Sequence, residues 1–117
     1  MGVLASLVVS IVAVLHVGFL VLEMFLWTHP IGLKVFHNGD AEFADRSKAL
    51  GQNMGLYNGF LAAGLFWSLT QGRVDVIVFF LLCVVVAGVY GSLTVKPRIL
   101  WIQAAPAALA LVLIVLS

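Results

Sequence analysis

Long apolar runs separated by short polar links dominate the pattern of this chain. Four runs approach or exceed the roughly 20 mostly apolar residues of a bilayer-spanning helix, and they cover about residues 4–27, 50–70, 74–93 and 99–116. Because backbone groups in hydrocarbon must be satisfied within each segment, the runs are expected to be helices. The pattern predicts an all-α integral membrane protein with four transmembrane helices, in which residues 1–117 form a single membrane domain.

The links between the runs differ in length. Residues 71–73 and 94–98 are short links, so consecutive helices are expected to be antiparallel neighbours in an up-down bundle. Residues 28–49 form the one sizeable loop. Within it, the stretch 41–50 places acidic residues first and basic residues last, in agreement with the helix dipole. This order allows a second helix that begins as early as Ala41.

Basic residues are distributed unequally between the two sides of the predicted bundle. The first and third loops share five of them: Lys34, Arg46, Lys48, Lys96 and Arg98. The opposite side has Arg73 only. Since positively charged loops stay in the cytoplasm, the asymmetry predicts a multi-pass protein of the cell membrane. Loops 28–49 and 94–98 would be cytoplasmic, with the N- and C-termini outside.

Composition agrees with a membrane protein and excludes several function classes. Of the 117 residues, 63% are hydrophobic and 9% are charged, against roughly 25% charged in soluble domains. A net charge of +1 offers no basic surface for nucleic acid. Cys83 is the single cysteine, so no disulfide framework or CxxC metal site is possible. The spacing of His29 and His37 matches no ligand pattern, and we predict neither a metal nor a cofactor.

Two ionisable residues, His16 and Glu23, lie inside the first predicted helix. Seven positions are close to two turns, so both share a stripe that continues to Trp27. Their axial separation of about 10 Å is too long for both to bind one metal ion directly. His16 is either a neutral histidine bonded to a neighbouring helix or a functional group. Glu23 is either a carboxylate at the headgroups or a buried carboxyl that exchanges a proton or binds a cation.

The second predicted helix is polar on more than one side. Its polar residues are Gln52, Asn53, Tyr57 and Asn58. Its small residues form a ladder at every fourth position, Gly51, Gly55 and Gly59. Such a ladder lets another backbone approach closely. Packing within the chain is the favoured interpretation, and a homodimer through these glycines is the alternative. Asn53 and Tyr57 share a face roughly opposite Gly55, which requires a contact from a second direction.

All four predicted helices bring a polar residue to one level near their cytoplasmic ends. These residues are Glu23, Asn53, Tyr90 and Gln103. Such a layer predicts a cytoplasm-facing intramembrane pocket with His16 at its floor; wetter helix ends are the competing explanation. The candidate ligand-binding residues are Glu23, Asn53, Tyr57, Asn58, Gln52, Tyr90, Gln103 and Trp27.

Several segments together resemble a known family. They are HVGFLVLEMFLW in the first helix, GQNMGLYNGFLAAGLFW in the second, VVVAGVYGSLT in the third, and Gln103 with Pro106 in the last. The chain resembles small bacterial and fungal membrane proteins of domain-of-unknown-function family 1304 over essentially its whole length. Residues 52–62 are the most specific part. The resemblance implies a four-helix membrane protein and assigns no role to any residue.

Three hypotheses for function remain open at this stage. In the first, the protein binds or transports a small amphipathic or cationic molecule, or a proton, with Glu23 carrying the charge. In the second, it is a membrane-embedded, isomerase-like enzyme on a lipophilic substrate, with His16 and Glu23 as candidate catalytic acid and base. In the third, it is an assembly subunit without a site, whose polar layer specifies helix packing. The partners expected are the lipid bilayer and a small-molecule or lipid-like ligand.

Overall fold

Helices and connecting turns make up the whole chain in a computed structural model that describes residues 1–117. The elements are α1 (Val3–Met24), α2 (Pro30–Phe36), α3 (Ala41–Arg46), α4 (Lys48–Thr70), α5 (Val74–Thr94), a π-helix (Leu100–Ala104) and α6 (Ala105–Leu116). No strand is present. The expected all-α fold class is therefore confirmed.

Two helices are long and apolar enough to cross a membrane, namely α1 with 22 residues and α5 with 21. Helix α4 is longer, at 23 residues, but its polar side chains make it less apolar. The last helical stretch, Leu100–Leu116, is apolar but shorter. The structure thus contains two candidate membrane spans, and four crossings remain a prediction.

The long loop contains two short helices of its own, and local chemistry explains their bounds. Helix α2 ends in a turn in which Asn38 and Gly39 have positive φ values of 51° and 84°, a conformation that favours Gly and Asn. Asp40 then caps α3, since its side chain accepts a hydrogen bond of 3.0 Å from the backbone N–H of Phe43. Helix α4 begins at Lys48, and Ser47 separates it from α3.

The chain divides into two compact units. The first, the two-segment unit, comprises Met1–Ala13 and Ala63–Ser117. Its core is made of fully buried aliphatic side chains: Val9, Leu65, Ile77, Leu81 and Val84. Helix α5 packs against the π-helix and α6. Gly88 permits this approach, because a Cβ there would lie 2.6 Å from the backbone nitrogen of Ala104.

The π-helix precedes Pro106, and the two features are related. Proline has no N–H to donate and its ring collides with the carbonyl of the residue four positions earlier. The wider turn relieves this crowding, and the N–H of Ala105 donates to the carbonyl of Leu100, five residues back. Gln103 lies in this widened turn. The sequence predicts a kink near Gln103, and the structure shows that the distortion is a π-helical turn.

The second unit, Val14–Ala62, contains the end of α1, both loop helices and the first part of α4. Helix α2 packs closely at Gly32 against the turn that follows α1. A Cβ at Gly32 would collide with the carbonyl oxygen of Leu26 and would lie 2.7 Å from that of Trp27. Only glycine fits so close to the backbone of another segment. The candidate site lies in this unit.

Candidate functional site

The polar stripe predicted on α1 is buried. His16 and Glu23 expose 1% and 7% of their surfaces, and Trp27 exposes 6%. The predicted first helix extends to Trp27, but α1 ends at Met24, so Trp27 lies in the turn that follows it. By contrast, Val14, Val17 and Val21 on the same helix are exposed. A helix normally turns its apolar face to a protein core in water. Here the polar stripe is the inward face and aliphatic residues point outward, which is the arrangement expected in a bilayer.

The α1 stripe packs against the glycine ladder of α4, and we call this contact the glycine seam. A Cβ at Gly51 would lie 2.7 Å from Cε2 of Trp27, and one at Gly59 would lie 2.6 Å from Cδ1 of Leu20. At Gly55, between them, a Cβ would meet side chains of α1 as well.

As residue numbers rise along α4, those of their α1 neighbours fall, so the two helices are antiparallel here. The three glycines therefore serve packing within the chain. Association of two chains through them stays a prediction.

Glu23 lies in the glycine seam and has one polar partner. Its Oε1 accepts a hydrogen bond from Nδ2 of Asn58. The Cβ of Glu23 lies against Gly55, since a Cβ there would approach it to 3.1 Å. No basic side chain pairs with Glu23, whereas Arg46–Glu42 and Arg73–Asp75 form ion pairs at exposed positions. A buried carboxylate without a cationic partner is costly when charged, so a proton or a bound cation would stabilise it.

The rotation of α4 decides which amide reaches Glu23. At 100° per residue, Asn58 borders the glycine ladder, whereas Asn53 and Tyr57 lie roughly on the opposite face. In the structure Asn58 is half-buried and bonded to Glu23. Asn53 and Tyr57 are exposed, as is Gln52. The structure therefore brings together two of the predicted ligand-binding residues, Glu23 and Asn58, and leaves the other three of α4 outside the glycine seam.

Two further predicted residues, Tyr90 and Gln103, belong to the two-segment unit. Tyr90 is 69% exposed, and Gln103 is half-buried in the π-helix. The layer of four polar residues at one level stays a prediction.

His16 is the most deeply buried ionisable residue of the stripe. Its ring contacts Phe19 edge to face, with the ring centroids 5.1 Å apart. No group of three or more His, Cys, Asp and Glu side chains is arranged so that it could hold a metal ion. The buried carboxylate and amide thus form a pair rather than a cluster of metal ligands.

Trp27 belongs to an aromatic cluster that the sequence pattern did not predict. Its ring stacks on Phe36 at 4.9 Å and meets His37 edge to face at 4.4 Å, and His37 in turn contacts Phe43. The indole Nε1 donates a hydrogen bond of 3.1 Å to Oγ of Ser47.

The available sequence signal was the presence of Phe36, His37 and Phe43 within the one sizeable loop. The cluster holds α2, α3 and the turn after α1 together, and it fixes Trp27 four residues beyond Glu23.

Comparisons with known proteins place this chain in a family. The family described as "Protein of unknown function (DUF1304)" matches residues 10–115. The chain is also 28% identical over 111 residues to "Uncharacterized protein YpaA" of Lactococcus lactis subsp. lactis (strain IL1403), covering 92% of this chain and 93% of that protein. No solved structure matches. The family match includes Glu23, Asn58 and the glycine seam, and it confirms the resemblance: the chain belongs to the DUF1304 family of proteins of unknown function.

Proposed function

We propose that this protein crosses the membrane with four helices and takes up a proton or a small organic cation at Glu23. The observation that carries the proposal is the burial of the Glu23 carboxyl in the glycine seam, with the Asn58 amide as its hydrogen-bond donor and no basic residue paired with it. Ionisable groups inside membrane helices are expensive and mark binding sites or proton pathways by default.

The lengths of the four long helical stretches support the membrane placement. Helices α1, α4 and α5 have 22, 23 and 21 residues, enough for a hydrocarbon core about 30 Å thick. The stretch Leu100–Leu116 is about 26 Å long at 1.5 Å per residue, which a bilayer accommodates by modest thinning. The distribution of Lys and Arg supports cytoplasmic loops 28–49 and 94–98 and external termini.

The donor set favours a proton or an organic cation over a metal ion. Glu23 supplies one carboxylate and Asn58 one amide, and Asn58 uses its N–H group rather than its oxygen toward the carboxylate. A divalent ion of the Ca²⁺ type takes six to eight oxygen ligands. A proton or a monovalent organic cation needs only the negative charge.

Glu23 lies one residue before the end of α1, which favours access from the side of the long loop.

Reaction with a hydrophobic carbodiimide tests the carboxyl itself. Such reagents partition into the bilayer and modify protonated carboxyl groups there, and mass spectrometry locates the adduct. We expect modification at Glu23 in reconstituted protein and its loss in Glu23→Gln. Glu42, which is exposed on α3, is the matched control, and Glu42→Gln is expected to leave the modification unchanged. Absence of any adduct at Glu23 would contradict the proposal.

Competition by a lipophilic cation tests the ligand class. Tetraphenylphosphonium is a suitable probe because it carries one delocalised charge and enters the hydrocarbon. We expect the cation to protect Glu23 from the carbodiimide and to bind wild-type protein but not Glu23→Gln. Protection without proton flux in liposomes indicates cation binding. Proton flux that Glu23→Gln abolishes, without protection, indicates a proton site. If neither protection nor flux is observed, the site takes up neither ligand.

Single cysteines test the orientation. In a Cys83→Ala background, Lys34→Cys in the long loop is expected to react with an impermeant maleimide only from the cytoplasmic side. Arg73→Cys, in the link between α4 and α5, is the matched position on the other side. The opposite labelling pattern would invert the proposed topology.

A further inference from the structure

Helix α4 has a second polar face that the glycine seam does not use. Asn53 and Tyr57 are exposed, and Tyr57 contacts Phe60 edge to face at 5.7 Å between ring centroids. Phe60 is also exposed, at 55%. The three residues lie within about 60° of one another around the helix axis, on the side roughly opposite Gly55. We call this surface the Asn53 face.

The exposed faces of the other two long helices are different. On α1, the exposed large side chains from Val3 to Val21 are all aliphatic. On α5, those from Phe79 to Leu93 are aliphatic or phenyl except Tyr90, which lies near the end of the helix. Such surfaces suit lipid. A carboxamide at the lipid surface leaves hydrogen-bonding groups without partners in hydrocarbon, which is unfavourable. The Asn53 face of a membrane-embedded α4 therefore favours a polar partner over lipid.

The chemistry of this face identifies a partner. The Asn53 face carries no formal charge, so electrostatics does not favour an acidic or a basic partner. A carboxamide donates through Nδ2 and accepts through Oδ1, so two identical Asn53 side chains can exchange two hydrogen bonds. The hydroxyl of Tyr57 likewise donates and accepts. A surface that is complementary to itself is the requirement for a two-fold symmetric dimer.

The position of the polar residues along α4 also determines the direction of pairing. Gln52, Asn53 and Tyr57 all lie in the first half of the helix, whereas the exposed large residues of its second half are Phe60, Phe66 and Trp67. Only a parallel arrangement, with both copies oriented alike in the membrane, places amide against amide. An antiparallel pair would set each Asn53 opposite phenyl and indole rings.

We infer that the Asn53 face binds a second copy of this chain, forming a parallel dimer with its two-fold axis next to Asn53. This face replaces the glycine ladder as the dimer surface, because the glycines already contact α1. The inference uses the membrane placement of α4 but not the cation site. Glu23→Gln is therefore expected to leave the dimer intact, which separates a failure of one proposal from a failure of the other.

Disulfide cross-linking tests the geometry. In a Cys83→Ala background, purified and reconstituted Phe60→Cys, which keeps the Asn53 amide, is oxidised mildly and run on a non-reducing gel. A disulfide requires Cβ atoms about 4 Å apart, so only residues beside the axis link to themselves. We expect Phe60→Cys, at a position that is 55% exposed, to give several-fold more covalent dimer than Val86→Cys, at a position that is 68% exposed on α5. Equal yields at both positions, or no dimer, would overturn the inference.

Substitution of the Asn53 carboxamide provides the second test, which does not depend on a new cysteine. Single-molecule photobleaching of fluorescently tagged protein in lipid bilayers counts the chains per particle. We expect two steps for wild type and for Asn53→Gln, which keeps the carboxamide, and mostly one step for Asn53→Leu. A wild-type chain that is monomeric overturns the dimer. A dimer that Asn53→Leu leaves unchanged overturns the role of this face.

Discussion

The two units of the chain have buried interiors of different chemistry. The Val14–Ala62 unit buries four polar side chains, His16, Glu23, His37 and Ser47, whereas the two-segment unit buries only Ser68. Ser68 satisfies its hydroxyl within its own helix, donating to the carbonyl of Gly64 at 2.7 Å.

Glu23, in contrast, depends on a different helix for its partner. The difference shows that aliphatic packing suffices to build one part of this chain, whereas the other part buries polar side chains that depend on a second segment for their partners.

Glycines occur in both units, but the atoms that an added Cβ would meet differ in how far they can move. At Gly88, a new Cβ would lie 2.6 Å from a backbone nitrogen and 2.9 Å from a Cα, both of Ala104. At Gly59, it would meet the terminal methyl carbon of Leu20, at 2.6 Å. Backbone atoms move only with their helix, whereas the end of a leucine can change rotamer. The aliphatic unit should therefore be the less tolerant of added volume.

The largest effect is expected for Gly88→Ala. Because the clash is with backbone, α5 and the π-helix must separate, and overpacking of this kind costs about 3 kcal/mol. Gly59→Ala should cost about 1 kcal/mol or less. Gly18 has no neighbour within 4 Å of its Cβ position, and Gly18→Ala should be neutral or slightly stabilising. Denaturation of the detergent-solubilised protein followed by circular dichroism measures all three. Equal stability of Gly88→Ala and Gly18→Ala would contradict the comparison.

The next effect is expected for Asn58→Leu. Removing the amide leaves the buried Glu23 carboxyl without its donor, and an unsatisfied buried polar group costs about 2 kcal/mol. Asn53→Leu is the matched control on the opposite face and should leave the stability of the solubilised monomer unchanged. The reactivity of Glu23 toward the carbodiimide should also change in Asn58→Leu but not in Asn53→Leu. Identical behaviour of the two variants would show that the hydrogen bond has no energetic role.

A smaller effect is expected for Trp27→Phe. The variant loses the hydrogen bond to Ser47 and part of the stack on Phe36, at a cost of about 1 kcal/mol. Trp101 lies in the two-segment unit and is 72% exposed, so Trp101→Phe should have no measurable effect on stability. Adding Ser47→Ala to each tryptophan variant gives a double-mutant cycle. A coupling energy between Trp27 and Ser47 near zero would argue that the aromatic contacts alone hold the loop.

The smallest effect is expected for Glu42→Gln. Its ion pair with Arg46 spans one turn of α3 at 3.1 Å, with both side chains largely exposed. Such pairs contribute about 0.3 kcal/mol and are screened by salt. Stability should be unchanged within error at physiological ionic strength, as measured by the same denaturation experiment. A loss as large as that of Asn58→Leu would reveal a structural role for α3 that its exposure does not indicate.

Much of the secondary structure could be predicted because it follows from local pattern. The runs around α1, α4 and α5 were expected from continuous hydrophobicity. The 3.6-residue period places His16 and Glu23 on one stripe, but it does not decide whether that stripe is buried. A helix that begins at Ala41 was expected, whereas the separate helix α2 and the break at Ser47 were not. Helix α2 ends where Asn38 and Gly39 adopt positive φ, a conformation that continued right-handed helix does not allow.

The candidate site was predicted in part. The sequence indicated that Glu23 and the polar residues of α4 lie near one another in depth, but it offered four candidates on that helix. Helical rotation separates Asn58 from Asn53 and Tyr57, yet it does not say which side faces α1. The glycines decide this, because only their side of α4 lets α1 come close enough for Asn58 to reach the carboxylate.

The sequence by itself determined the class of this protein: helical, strongly apolar, with an ionisable stripe on its first helix and a small-residue ladder on α4. These features follow from composition and periodicity, which act along one segment at a time. Only the tertiary structure decided that α1 packs against the glycine ladder. It also decided that Glu23 is paired with Asn58 and that Asn53 faces outward. Those outcomes depend on which surfaces of two distant segments fit together, and steric fit between helices is not encoded in the pattern of either helix alone.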